Sequence, residues 1–260
     1  MRAGRWQRWW LGVAGLLGFL GLLELVPRAG LVPDRYLPRT SRIAGALADE
    51  LGQPGFWVAL GDTLAGWAIG LAVAVAAGVG LGLLIGGVPA LRAATASTIE
   101  FLRPIPSVAL IPLAVLLFGT DLRSKLLLVV YASFWQVLIQ VLYGVQDVDP
   151  VAMDTARSYR LGRWGRIRHL VWPTTLPYAV TGFRLAAAVA LVLAITAELI
   201  IGSPGLGKEI AVAQTSGAVP AMYALVVVTG LLGVGVNLLA RALERRVLAW
   251  HPSTRREGAA

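Results

Sequence analysis

The chain has no cysteine and only two histidines, His169 and His251, among its 260 residues. Disulfides, thiolate metal sites and cysteine nucleophiles are thereby excluded, and two histidines leave little from which to build a metal centre. Charge is equally scarce. Only 14% of the residues are Asp, Glu, Lys or Arg, against 57% hydrophobic, too little charge to cover a water-soluble globule. With a mean hydropathy of +0.72, lipid has to solvate much of the surface. The few carboxylates are scattered along the chain and do not converge with either histidine into an acid–base pair, so no catalytic constellation is legible and no catalytic residue is assigned.

What the chain does have is long apolar runs, at residues 9–26, 57–88, 101–118, 126–143, 174–201 and 220–249. Each is long enough to cross a bilayer, which predicts an all-α polytopic membrane protein of about six spans. The first run follows Arg2, Arg5 and Arg8, as a signal peptide would, but Glu24-Leu-Val-Pro-Arg28 is not a small-residue cleavage site, and the run is read as a retained helix. In the second run Gly66, Gly70, Gly78, Gly82 and Gly86 share one helical face, which permits close backbone contact with a neighbour. The third opens on Arg103-Pro-Ile-Pro106 and contains Pro112, so it should be kinked or broken and held inside a bundle.

The net charge of +9 does not form a basic face, because the charges lie between and beyond the apolar runs. The positive-inside rule explains it without a nucleic-acid partner. Most arginines fall on one side, among them Arg157, Arg160, Arg163, Arg166 and Arg168, and both termini are then expected in the cytoplasm. Arg123, Lys125 and Lys208 are assigned to outer loops. Residues 1–56 then hold the first span and an external connection, residues 57–250 the remaining five spans, and residues 251–260 a cytoplasmic tail.

The one long polar segment between spans is the loop 144–172. Asp149 is placed to cap a short helix beginning at Pro150, Gly162 and Gly165 offer a bend, and a second short amphipathic piece carrying Ile167 and Leu170 leads to Pro173 and Pro177. Two short helices across a bend make a projecting knob.

On Asp154-Thr-Ala156, Arg157-Ser-Tyr-Arg160 and His169-Leu-Val-Trp-Pro173-Thr-Thr-Leu-Pro177, this loop resembles the cytoplasmic signature of the binding-protein-dependent ABC transporter permeases, the inner-membrane subunits of type I importers. Asp154 stands for the family's glutamate, Thr155 for its first alanine and Arg160 for its glycine, with Gly162 two residues later. Phe101-Leu-Arg-Pro-Ile-Pro-Ser-Val-Ala-Leu-Ile-Pro-Leu113, Tyr178-x-x-Thr-Gly-Phe-Arg184, Ala197-Glu198 and Pro204-Gly-Leu-Gly207 are similar to the sulfonate, taurine, nitrate and thiamine-precursor branch. The resemblance implies a pair of permeases (a homodimer or two different chains), two cytoplasmic ATPase subunits that use ATP and magnesium, and an external substrate-binding protein. It implies that this chain itself binds no cofactor. It also implies that Asp154, Thr155, Ala156, Arg160, Gly162, Trp164, Ile167, Leu170, Pro173 and Pro177 form the coupling loop, with Trp164, Ile167 and Leu170 as apolar anchors. The expected solute is a small organosulfonate or related anion, with a thiamine-precursor-type heterocycle as the alternative.

Glu198, Trp135 and Asn237 are candidates for a translocation path or gate, as polar or aromatic groups within apolar runs. Gly202-Ser-Pro-Gly-Leu-Gly-Lys208 opens like a phosphate-binding loop, but Glu209 occupies the position that needs Ser or Thr, so a tight external turn is expected. An ATP-independent secondary transporter is the rival class. It should carry carboxylates near mid-membrane, whereas Glu24, Asp62 and Glu198 fall toward span ends.

Overall fold

The computed structural model describes residues 3–250; the tail expected at 251–260 lies outside the described residues. Helix α1 (Ala3–Arg28) is followed by α2 (Thr40–Leu51), α3 (Pro54–Gly87) and α4 (Pro89–Leu102). After a 3-10 turn at Ser107–Leu110 come α5 (Ile111–Phe118) and α6 (Leu122–Gln146). Then α7 (Pro150–Ser158), α8 (Arg163–Arg166) and a π-turn (Ile167–Val171) lead into α9 (Trp172–Ile201), α10 (Leu206–Thr215) and α11 (Val219–Val247). The protein is all-α, and five of its helical segments are long and apolar enough to cross a membrane.

The sixth expected span is different. The run 101–118 is not one helix: α4 already ends at Leu102, and α4 and the segment Ser107–Phe118 meet at 84°. The cause is local. Pro104 and Pro106 have no N–H to donate to a helix, and Pro106 itself takes extended backbone at φ −62°, ψ 120°. In place of a straight span stands a bent pair that starts at Pro89. The connection after α1 is partly helical, as expected, through α2.

Helices α3, α6 and α9 form the centre. Gly66 lies against Lys125, Gly70 against Val129, Gly78 against Val137, Gly82 against Val141 and Gly86 against Val145. Both residue numbers rise together, so α3 and α6 run parallel, and each four-residue step on one is answered by a four-residue step on the other. A Cβ at Gly78 would sit 2.8 Å from the Val137 Cβ, so the glycines are what allow the two backbones to approach this closely. On the other side of α6, Ala186, Ala187, Ala190, Ala194 and Ala197 of α9 are all buried, and small side chains again bring two helices together.

Helix α9 does not begin at Pro173. Arg163–Ile201 is one continuous helical body, interrupted only by the π-turn. Pro173 has no N–H for the carbonyl of His169 and would crowd it, and widening the turn just before the proline relieves the contact. The second loop piece is therefore the first two turns of a membrane helix.

Candidate functional site: the loop knob and a buried ion pair

At the end of the bundle where α6 finishes, the loop is built as expected at its start. Asp149 Oδ1 accepts from Val151 N at 2.8 Å, and Pro150 opens α7. Asp154 is exposed on α7 and pairs with Arg157 Nη1 at 2.8 Å, Thr155 Oγ1 donates to the Val151 carbonyl at 2.8 Å, and Ala156 lends its carbonyl to the turn that follows.

The bend is not at the glycines. Gly162 has an ordinary φ of −59°, whereas Arg160 has φ +55°, the one positive value at a non-glycine among the described residues. Leu161 N donates to the Ala156 carbonyl at 3.0 Å and Arg160 N to the Arg157 carbonyl at 2.8 Å. This is the Schellman pattern, with Arg160 at the position that favours glycine. The Arg160→Gly substitution is expected to stabilise the bend by about 0.5–1 kcal/mol, the left-handed cost being partly offset by glycine's freedom in the unfolded chain. Chymotrypsin cleavage within Tyr159–Trp164 should slow by about two- to fivefold in detergent; faster cleavage would contradict it.

Past the bend, Trp164 is 73% exposed, as are Val151 at 72% and Tyr159 at 79%. Three large apolar side chains thus face outward on the knob. Ile167 and Leu170 are half-buried on the π-turn, and Pro173 and Pro177 are half-buried in the opening turns of α9. The knob's entry is tied to its exit: Tyr178 donates its hydroxyl to Asp147 Oδ2 at 2.9 Å, and a Cβ at Gly144 would lie 2.9 Å from the Thr175 Cα. Any displacement of the loop must carry the ends of α6 and α9 with it.

At the opposite end of the bundle, Glu198 is fully buried and pairs with Lys125, also buried, at 2.8 Å. Lys125 Nζ donates further to the carbonyls of Asp62 at 3.1 Å and Pro204 at 3.0 Å. The other carboxylate oxygen accepts from Thr63 Oγ1 at 2.9 Å and from Gly207 N at 3.1 Å, and Thr63 Oγ1 accepts from Leu206 N at 2.9 Å. All three ammonium protons and both carboxylate oxygens are used, the condition under which a buried charge pair is tolerated. The Gly202–Lys208 segment is the tight turn expected, and two of its amides, Leu206 N and Gly207 N, donate to Thr63 and Glu198. Gly202 at φ +78° and Gly205 at φ +147° make the turn, and a side chain at Gly205 would collide with the Glu198 carboxylate.

Lys125, which the charge pattern assigns to an outer loop, lies instead inside the protein, next to the apolar run that follows it. Trp135 is buried on α6, edge-on to Tyr131 and Phe134 with centroids 5.9 and 5.0 Å away. Asn237 is exposed on α11. Trp135, Glu198 and Asn237 are not brought together. Arg184 of α9 pairs with Glu244 of α11 at 3.2 Å.

Residues 78–249 match the family described as the binding-protein-dependent transport system inner membrane component. The taurine transport system permease protein TauC of Escherichia coli (strain K12) is 31% identical over 226 residues, covering 85% of this chain and 82% of that one. The nitrate import permease protein NrtB of Leptolyngbya laminosa is 27% identical over 181 residues, covering 70% and 65%. Among solved structures, an inward-facing MetNI methionine ABC transporter chain superposes with a TM-score of 0.63 at 16% identity, over 75% of this chain and 99% of that one. A chain of an amino acid ABC transporter gives 0.59 at 20% identity, over 74% and 94%. The chain therefore belongs to the binding-protein-dependent inner-membrane components, the non-catalytic multi-pass permease subunits of ABC importers.

Proposed function

We propose that this permease imports a small organic anion, an organosulfonate in the first instance, and that its loop 144–172 couples it to a separate ATPase. The substrate reading draws on the taurine and nitrate relatives: taurine is a zwitterion that carries a sulfonate and nitrate is a small anion, so both named solutes present a compact oxyanion group. A thiamine-precursor-type heterocycle remains the second reading from the sequence branch. The loop is cytoplasmic, as are both termini, by the distribution of arginines. Two permease chains, identical or paired with a second kind, enclose the path, an external binding protein delivers the solute, and Glu198, Trp135 and Asn237 are the path or gate candidates.

The observation that supports coupling most is mechanical. A knob presenting Val151, Tyr159 and Trp164 is joined without a hinge to α9 and laced to α6 by Tyr178 and Asp147. Exposed apolar anchors fit a groove in a partner, and Asp154 with the loop arginines sets register and encounter. Closure of an ATPase dimer would move such a knob as a lever and reorient the helices behind it. Asp154→Lys, or removal of Gly162–Arg166, is expected to release the ATPase or uncouple hydrolysis from uptake while membrane insertion stays intact. Co-purification and ATP hydrolysis in liposomes read this out, and solute uptake by this chain alone, without ATP, would refute the proposal.

A further inference from the structure

A pocket of about 590 Å³ lies between the loop and the end of α3, with Trp164 of the knob on its lining. Its walls are apolar, with Leu84 and Val88 at the end of α3, Val145 at the end of α6 and Ile167 on the π-turn. Arg157, Arg163 and Arg166 also line it. Arg157 is neutralised by Asp154. Arg163 and Arg166 have no carboxylate partner among the described residues, and Arg166 Nε is buried with no hydrogen-bond partner. Two uncompensated guanidiniums therefore face an apolar recess where two spanning helices stop.

We propose that this pocket binds an acidic phospholipid, its phosphodiester at Arg163 and Arg166 and the start of its acyl chains along Leu84 and Val88. The geometry favours lipid over a water-soluble anion because the recess is continuous with apolar membrane surface: Leu81 and Leu84 of α3 are exposed on the helix that forms its wall. Guanidiniums match phosphate oxygens in pairs. A lipid held there would fasten the root of the knob to the bilayer, leaving the exposed Val151 and Tyr159 free for the ATPase. The inference rests on the cytoplasmic placement of the loop.

The test uses the assembled transporter with its ATPase, delipidated in detergent and titrated with phosphatidylglycerol or phosphatidylcholine under native mass spectrometry. Phosphatidylglycerol should be retained preferentially. The double variant Arg163→Gln/Arg166→Gln should weaken its retention by about 25-fold, near fivefold per charge, while Arg163→Lys/Arg166→Lys, which keeps both charges but not the paired N–H geometry, should fall between the glutamine variant and the native protein. Equal retention of the two lipids, or no loss in the glutamine variant, overturns the proposal. Full displacement by glycerol 3-phosphate would make this a soluble-anion site and overturn it as well. Because the chain lacks cysteine, Val151→Cys labelling by a membrane-impermeant maleimide reports the side separately. Labelling of intact cells from outside would overturn the orientation, and this inference with it, without touching the family assignment.

Discussion

Lys125→Met is expected to cost about 3–5 kcal/mol, the penalty for stranding a buried carboxylate, and so to remove most of the monodisperse protein from detergent extracts. Glu198 would keep its bonds to Thr63 and Gly207 but lose its only cation, and the carbonyls of Asp62 and Pro204 would lose their donor. Against a total stability of about 5–15 kcal/mol for a typical domain, such a loss is close to decisive. Glu198→Gln should be severe for a related reason. A carboxamide offers one acceptor oxygen where the site presents three donors, and its NH₂ would face one of them. The double variant Lys125→Met/Glu198→Gln should recover much of the lost material, since no unpaired charge remains. Thermal inactivation followed by fluorescence-detected size exclusion separates these cases. If the single and double variants behave alike, the pair is not the buried couple described above.

The second large effect lies along the α3–α6 seam. Gly78→Leu should cost at least about 1–3 kcal/mol, the range for overpacking a filled core, because its Cβ would meet both Val137 and the Leu138 backbone. The two helices would have to separate along their length, since neither partner atom is the end of a flexible chain. Gly80→Leu, two residues away on the same helix, meets nothing within 4 Å and is expected to leave stability unchanged or slightly improved, glycine being a poor helix former. A comparison of the two in one expression and melting series checks the assignment of the buried face. Comparable losses at both positions would reject it.

Much of this architecture was legible in the sequence where a local signal and a global one coincide. The glycine period on α3, the Asp149–Pro150 helix start and the break around Pro104 and Pro106 each follow from one short stretch read with helix geometry. The buried ion pair was hidden for the opposite reason. Lys125 and Glu198 are far apart in the chain, and each taken alone reads as an interfacial charge at a span end. Only packing decides that they meet. The bend shows a third situation. Arg160 was recognisable as a departure from the family's glycine, yet Gly162 and Gly165 drew the turn toward themselves, because glycine is the residue that ordinarily occupies left-handed backbone. The loop's hydrogen bonds, not its composition, place the turn at the arginine.

The parallel seam also dictates where this chain can change length. Every pair from Gly66/Lys125 to Gly86/Val145 keeps the same spacing in residue number, so inserting or deleting a residue in the bent segment between α3 and α6 shifts all pairs together and leaves the match intact. A single insertion between Gly70 and Gly78 would instead turn every later glycine by about 100° away from its valine. The seam itself is indifferent to the length of the segment that joins its two helices and intolerant of any change of length within either of them.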